Sequence, residues 1–379
     1  MLYITKNHLK PGMILSKDIV MYTNDNYSKL LLTKGQVLNN KFINKIEFNN
    51  IEGAYIEGEA FYDIDVDSYI NENLVTKSLS QIKDVYLEFK MSTGKVGISS
   101  IKKLSSIVDS LIIELIYKEN LSYNIIDFRN YDDYTYQHCL NVAILSISTG
   151  ISLKLSEHKL HDLGMSGILH DIGKMLIPLE IINKPGKLTD EEFEIMKTHP
   201  QNAVNMLDGI VSNDILRGIE SHHEKLDGTG YPYGRKSSNI HQYGKILTVC
   251  DVYDALTSDR SYRKSCFPSE VIEYIMGCAD SHFDFNILNN FLKVIVAYPV
   301  GTFVELSNNK LAVVVKNNPE NIMRPLVRII KSDGTVGEDI DLLYDMDYMN
   351  TTIVNMGYDY DKDGFKEILK STYDIKIKK

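Results

Sequence analysis

The spacing of apolar residues changes along the chain and predicts a helical centre between two β-rich ends. Residues 1–64 contain short apolar runs separated by Pro-Gly and Lys-Gly turns, which favours short strands around one helix at 40–48. In residues 65–130 the apolar side chains recur at helical spacing. We therefore expect a small β-rich N-terminal module at 1–64, followed by a helical connector at 65–130.

Residues 131–298 are helical in pattern over nearly their whole length. Thr189 and Glu192 have the spacing of a capping box, which predicts the start of a helix. The turn formers in Asp227–Pro232 predict a loop. Beyond this segment, short β-patterned runs predict a C-terminal β element at 299–355, and a charged tail follows at 356–379. The expected fold class is mainly α, with small β-rich modules at both ends.

Length, charge and cysteine spacing narrow the class of protein. The chain has 379 residues, which is enough for more than one domain, and its formal net charge of −10 argues against a polymeric nucleic acid as partner. The four cysteines show no C-x-x-C spacing and indicate reduced thiols in a cytoplasmic protein. We expect no membrane partner, since the sequence begins with no signal-peptide pattern and contains no apolar run of membrane-spanning length.

The first candidate functional residues lie in the stretch His170-Asp171-Ile172-Gly173-Lys174, which follows an apolar helical run. An imidazole beside a carboxylate is costly to bury, and a cation that takes up their lone pairs offsets that cost. One such pair is weak evidence, because a hydrogen-bonded surface pair is the common alternative. Further nitrogen and oxygen donors in apolar helical contexts support a metal site: His138, His199, His222, His223 and Asp251. Asp254, one turn after Asp251, is placed to orient a ligand.

A second pair, His161-Asp162, lies nine residues before His170-Asp171. Nine residues at about 100° each place it on the opposite side of a continuous helix. We therefore assign this pair a structural role.

The ordered motifs within about 131–298 resemble the HD-GYP family, a branch of the HD-domain metal-dependent phosphohydrolases. The matching stretches are His170–Lys174, His222-His223-Glu224 with Asp227–Pro232, Asp251–Arg263, and Phe283-Asp284. The resemblance implies the helical HD-domain fold and hydrolysis of cyclic di-GMP to linear pGpG, which some members carry on to GMP. It also implies two or three iron or manganese ions and, as nucleophile, a hydroxide that bridges two of them.

Carried over motif by motif, the resemblance implies roles for individual residues. The implied metal ligands are His170, Asp171, His199, His222, His223 and Asp251, with His138 completing the shell. Asp171 is implied to bridge two metals, and Lys174 to contact a phosphate oxygen or the nucleophile. Tyr231, Arg260 and Arg263 are implied substrate contacts, although a solvated basic turn is the alternative for the two arginines.

The number of metals depends on the position four residues before His138. Members of the family with a third metal usually carry Glu there, but this chain has Tyr134, a neutral phenol with a pKa of about 10. Asp132 and Asp133 would point away on a regular helix, although non-helical backbone before Tyr134 would bring Asp133 back. We therefore predict two divalent ions, with pGpG accumulating and GMP as a minor product. Iron or manganese is expected, but His and Asp donors also suit zinc or nickel.

The sequence leaves two other functions open. One is a catalytically slow module that senses cyclic dinucleotides or binds another protein, and the other is an HD hydrolase of a different cyclic dinucleotide. Ala203 and Phe285 depart from the family pattern, which often has Gly and Pro at these positions, but neither position supplies a ligand. A homodimer formed through the connector helices at 65–130 is a further open alternative.

Overall fold

The protein is described here from a computed structural model, which covers residues 1–22, 28–49, 51, 53–58, 61–64, 66, 69–91, 97–118, 134–258, 266–331, 333 and 335–356. Two compact units are present. The described parts of 70–118 and 134–295 form a helical unit, and those of 1–69 and 296–356 form a β-rich unit.

The helical unit contains both the predicted connector and the segment that carries the candidate ligands. Its helices are α2 (Glu72–Met91), α3 (Ile98–Ile116), α4 (Tyr134–Ser152), α5 (Glu157–Leu169), α6 (Leu179–Ile182), α7 (Asp190–Met196), α8 (His199–Leu207), α9 (Asn213–Glu220), α10 (Gln242–Thr257), α11 (Pro268–Gly277) and α12 (Phe285–Phe291). Residues 137–150 of α4 are all buried, so this helix lies at the centre of the unit. The predicted capping box opens α7: Thr189 accepts from the Glu192 N–H, and Glu192 accepts from the Thr189 N–H.

Two glycines allow the ligand-bearing segments to approach each other closely. A Cβ atom on Gly167 of α5 would lie 2.6 Å from the Cα of Ala143 on α4. A Cβ on Gly173 would lie 2.0 Å from the His199 carbonyl oxygen and 2.6 Å from the Ala203 nitrogen. Side chains larger than hydrogen would therefore push these segments apart. Ala203 itself is buried in α8 without disturbing this contact.

The β-rich unit contains one helix and two groups of strands. From the N-terminal part come β1 (Leu2–Thr5), β2 (Ile19–Tyr22), β3 (Ser28–Leu32), α1 (Asn40–Phe48) and β4 (Gly53–Ile56), with β1 paired to β4 and β2 to β3. From the C-terminal part come β5 (Phe303–Leu306), β6 (Leu311–Lys316), β7 (Leu326–Ile330), β8 (Val336–Asp341) and β9 (Ile353–Met356). They form an antiparallel sheet in the order β8-β7-β6-β5-β9.

The N-terminal and C-terminal parts of the β-rich unit, predicted as separate modules, share one hydrophobic core. Leu2 and Ile4 lie in the same cluster as Phe303 and Val313. The guanidinium of Arg328 also donates to Asp63 in the N-terminal part, at 2.8 and 2.7 Å, and to Asp339 of β8.

The prediction of a mainly α chain with β-rich ends is confirmed. Among the described helices, none combines the length and apolar content needed to cross a bilayer. The tail from 357 onward lies outside the described residues.

Candidate metal centre

The predicted ligands reach one place from five segments of the helical unit. His138 lies on α4, and His170 and Asp171 follow the last residue of α5. His199 is the first residue of α8, His222 and His223 follow α9, and Asp251 lies on α10. With the exception of His223, which is half-buried, all of these side chains are buried.

Three of the histidines share one local geometry. The Nδ1 atoms of His170, His199 and His222 lie 2.8, 2.8 and 2.5 Å from the carbonyl oxygen three residues earlier in the chain. A carbonyl oxygen only accepts, so each Nδ1 carries the proton and donates it. Each Nε2 atom therefore presents a lone pair, which is the form of imidazole that binds a metal.

His138 is oriented by a carboxylate instead of a carbonyl. Its Nδ1 donates to Asp254 Oδ2 at 2.7 Å, and the other oxygen of Asp254 accepts from Asn141 Nδ2 at 2.7 Å. Asn141 in turn accepts from Gln137. Asp254 thus orients a candidate ligand, whereas Asn141 and Gln137 were missed. Their signal in the sequence was a polar stripe on an otherwise apolar helix.

The Nε2 atoms of the four histidines converge in two pairs. Nε2 of His138 lies 3.3 Å from Nε2 of His170, and Nε2 of His199 lies 3.3 Å from that of His222. Oδ1 of Asp171 is buried and has no hydrogen-bond partner among the described residues. Facing lone pairs and an unpartnered carboxylate oxygen are costly unless a cation lies between them, so the donor set fits bound metal ions.

Ligand atoms within 4.8 Å of one another form three overlapping groups. They are Asp171 with His199, His222 and His223; His138 with His170 and Asp171; and His170 with His222 and Asp251. Asp171 belongs to two of the groups, and both of its oxygens face imidazoles.

Burial sets the charge of the candidate ligands. It lowers the pKa of His199 to about 4 and that of His223 to about 3, so both are neutral near pH 7. Burial also acts to lower the pKa of His138, but its bonds to Asp251 and Asp254 outweigh this and raise the pKa to about 9. Near pH 7 the metal-free His138 therefore carries a proton on Nε2, which faces Asp251 at 3.1 Å, and a bound cation would have to displace that proton.

The two carboxylates remain ionised. Burial acts to raise the pKa of Asp171, but the positive charge of Lys174 and the surrounding imidazoles hold it well below its usual range. Lys174 Nζ lies 2.6 Å from Asp171 Oδ2, and its side chain is 33% exposed, so it reaches from the centre toward solvent. For Asp251, the bond to His138 outweighs the effect of burial and also lowers the pKa.

The loop after the histidine pair folds back over the centre. The ring of Tyr231 stacks on His223 with centroids 4.6 Å apart, and its N–H donates to the His223 carbonyl. Buried Glu224 accepts from the backbone N–H groups of Tyr233, at 2.9 Å, and Arg235, at 2.8 Å. Glu224 therefore holds the loop that carries Tyr231. Its signal in the sequence is a carboxylate directly after two histidines.

Other motif residues lie away from the candidate ligands or outside the described part. Asp284 caps α12 by accepting from the N–H groups of Asn286 and Ile287. His161 Nε2 lies 2.8 Å from Ser105 Oγ. Of the residues discussed in the sequence analysis as possible ligands or substrate contacts, the following lie outside the described part of the structure: Asp132, Asp133, Arg260, Arg263 and the side chain of Tyr134.

Comparison with known proteins gives a family and named relatives. The HD-domain family matches residues 124–287. Cyclic di-GMP phosphodiesterase PA4108 of Pseudomonas aeruginosa is 38% identical over 230 residues, which cover 60% of this chain and 55% of the relative. The 3'3'-cGAMP-specific phosphodiesterase 1 of Vibrio cholerae is 34% identical over 150 residues, covering 39% of this chain and 34% of the relative. The chain thus spans about half the length of the first relative and about a third of the second.

A solved structure resembles the chain in fold. Bd1817, an HDG"Y"P protein from Bdellovibrio bacteriovorus, matches with a TM-score of 0.50 and 14% identity, covering 76% of this chain and 97% of that chain. At this identity the likeness concerns the fold alone. Residues 124–287 of this chain match the HD-domain family, and their motifs resemble those of its HD-GYP branch.

Proposed function

We propose that this protein is a metal-dependent phosphodiesterase that hydrolyses cyclic di-GMP to linear pGpG. The observation that carries the proposal is the convergence of imidazole donors on Asp171. The Nε2 atoms of His138, His170 and His199 lie within 3.7 Å of its carboxylate oxygens. The relative from Pseudomonas aeruginosa, which is named as a cyclic di-GMP phosphodiesterase, supports the choice of substrate.

Two divalent ions, iron or manganese, are the proposed cofactors. Asp171 would bridge the two ions, since it belongs to two of the overlapping donor groups, and His199, His222 and His223 would hold one of them. His138 and His170 would hold the other ion, and Asp251 lies within reach of His170 and His222. When bound, the ions would lower the pKa of a coordinated water, so that hydroxide is available near neutral pH, and would neutralise charge on the phosphodiester oxygens.

The protein groups around this site are suited to an anionic substrate. Lys174 is partly exposed at the edge of the centre, and we propose that its ammonium group contacts a phosphate oxygen. The ring of Tyr231 stacks on His223, and we propose that it packs against the bound nucleotide. Arg260 and Arg263 are proposed to hold phosphate through paired guanidinium donors. In a chain with net charge −10, these cations must supply the attraction for a dianionic ligand.

A second candidate substrate is a hybrid cyclic dinucleotide. The relative from Vibrio cholerae is named as specific for 3'3'-cGAMP, and its alignment with this chain favours testing that compound. Metal ligands recognise the phosphodiester that both compounds share, so any discrimination between them must come from contacts to the bases.

The test of both candidates is turnover by protein purified anaerobically, with its metal content measured first. We expect cyclic di-GMP to be hydrolysed with a higher kcat/KM than 3'3'-cGAMP, and chromatography over time should show pGpG accumulating with GMP minor. A preference for 3'3'-cGAMP would favour the second candidate. Metal-loaded protein that hydrolyses neither compound would favour a sensing or interaction role.

A further inference from the structure

Tyr86 of α2 is buried against α4, which carries His138, and α5, which directly precedes His170. Its side chain is 2% exposed, and its ring packs edge-on against Tyr136 of α4 with centroids 5.6 Å apart. Its hydroxyl donates to the Ile168 carbonyl oxygen at 2.7 Å and lies 3.3 Å from Cys139 Sγ. One hydroxyl group therefore contacts both α4 and α5.

The direction of these two hydrogen bonds follows from the atoms involved. A phenol has one proton to donate, and the carbonyl of Ile168 can only accept it. The thiol of Cys139 must then donate to the phenol oxygen. The hydroxyl of Tyr86 thus joins a donor on α4 to an acceptor on α5.

Both partners lie beside candidate metal ligands. Cys139 follows His138 directly, and Ile168 precedes His170 by two residues. Ile168 lies in the last turn of α5, where carbonyl groups lack donors within the helix. Without the tyrosine hydroxyl, this end of α5 would lose its hydrogen bond to Tyr86. The hydrogen bonds of α2 would then no longer fix the 3.3 Å distance between the Nε2 atoms of His138 and His170.

We propose that Tyr86 is a positioning residue of the metal centre, which sets the spacing of His138 and His170 through its hydroxyl. The inference rests on the proposed function, because it requires that these histidines hold metal. It extends the functional centre to a helix that precedes the HD-family match, since that match begins at residue 124. The connector helix α2 is then part of the catalytic unit.

The test is a Co²⁺ titration of the metal-free full chain, followed by its visible absorption spectrum. Tyr86→Phe removes only the hydroxyl, and we expect the Co²⁺ bands to shift and the affinity to fall about tenfold, as is typical when a group supporting the ligands is lost. The matched control is Ser78→Ala. Ser78 lies on the same helix, and its hydroxyl is buried without a hydrogen-bond partner among the described residues. This control should leave both the spectrum and the affinity unchanged.

Two further variants keep the test decisive if Tyr86→Phe folds poorly. Cys139→Ala removes the donor on α4 and should shift the spectrum in the same direction, whereas Cys139→Ser restores a donor and should reverse most of that shift. Wild-type spectra and affinities in Tyr86→Phe, even with lowered stability, would overturn the inference. If the wild-type protein binds no Co²⁺, the proposed metal centre fails and the inference fails with it.

Discussion

At the scale of single residues, most of the side chains that meet in the candidate centre could be picked out from the sequence. His170, Asp171 and Asp251 stand out because charged or polar groups in apolar helical runs need partners. Glu224 and Asn141 were missed, since the local signals, a carboxylate beside two histidines and a polar stripe on an apolar helix, do not show which segment each side chain contacts. Glu224 reaches N–H groups nine and eleven residues away, and Asn141 reaches Asp254 on another helix.

Removing a candidate ligand should abolish the activity through loss of metal. Asp171→Ala deletes the carboxylate that faces imidazoles on both sides, and His170→Ala deletes one of those imidazoles. We expect bound metal to fall and turnover to drop by more than about 100-fold, the upper end of what loss of a supporting group costs. Metal analysis and kinetics on the same preparations test this.

The control is His161→Ala, which removes a histidine of α5 that lies beside Ser105 and not in the cluster. It should leave metal content and turnover near wild-type values. Full metal content and near-normal turnover in Asp171→Ala would contradict the assignment.

The loop that carries Tyr231 should depend on the charge of Glu224. In Glu224→Gln one oxygen becomes an NH₂ group, which cannot accept from the N–H groups of Tyr233 or Arg235. A hydrogen bond to a charged group contributes about 1.5–3 kcal/mol, so we expect KM to rise roughly tenfold or more with metal content unchanged. Steady-state kinetics with metal analysis measures both effects.

Glu220→Gln is the matched control, because within the described part of the chain Glu220 accepts from the side chains of Tyr233 and Arg235 and not from their backbone N–H groups. Its effect on KM should be several-fold smaller. If both variants raise KM equally, or if Glu224→Gln loses metal, the hydrogen bonds from the Tyr233 and Arg235 N–H groups to Glu224 do not position the loop for substrate.

The helices themselves were easier to predict than their partners. Periodicity, the capping box at Thr189 and the turn formers near Asp227 locate helices and loops, because these are local signals. The sequence did not reveal that α2 contacts α4 and α5 through Tyr86, since helical spacing identifies an apolar face but not what covers it.

A fragment containing the connector helices should retain the activity. Every candidate ligand lies within residues 65–298, and this range includes α2 and α3. We expect a 65–298 fragment to bind metal and to show basal hydrolysis, while a 131–298 fragment, which lacks Tyr86, should bind metal more weakly. Metal affinity and turnover of the two purified fragments provide the comparison. A folded, metal-loaded 65–298 fragment without activity would show that the β-rich unit completes the site.

At the scale of the whole molecule, the shared core of the two chain ends could not be predicted. Leu2 and Phe303 lie in one hydrophobic cluster although about 300 residues separate them. The strands at both ends were predicted, because alternation and turns are local. Nothing in either segment indicates that the other one covers its apolar face.

The metal-free protein should lose stability in mild acid. The folded-state pKa values of His199, about 4, and His223, about 3, lie below the ordinary value of 6.5. As the pH falls below about 6.5, the unfolded chain therefore binds protons that the folded chain does not, and the free energy of unfolding decreases. His138 has a raised pKa of about 9 in the folded protein, so the stability that it contributes is fully present below pH 6.5 and is lost as the pH rises toward 9. It therefore does not reverse the loss of stability that His199 and His223 cause in acid.

Urea unfolding of metal-free protein at pH 7 and pH 5 measures this effect, and we expect a lower midpoint at pH 5. His199→Gln should weaken the dependence, because it removes one of the buried neutral imidazoles. A midpoint that stays constant or rises between pH 7 and pH 5 would contradict the charge states assigned to the centre.

The central claim is that Asp171 joins two metal ions, and anomalous diffraction from crystals of the metal-loaded protein tests it most directly. The account predicts two anomalous peaks, both within bonding distance of Asp171, with His199, His222 and His223 around one and His138 and His170 around the other. A third fully occupied peak beside Tyr134 would contradict the predicted number of ions. The absence of any peak at Asp171 in metal-loaded crystals would contradict the claim itself.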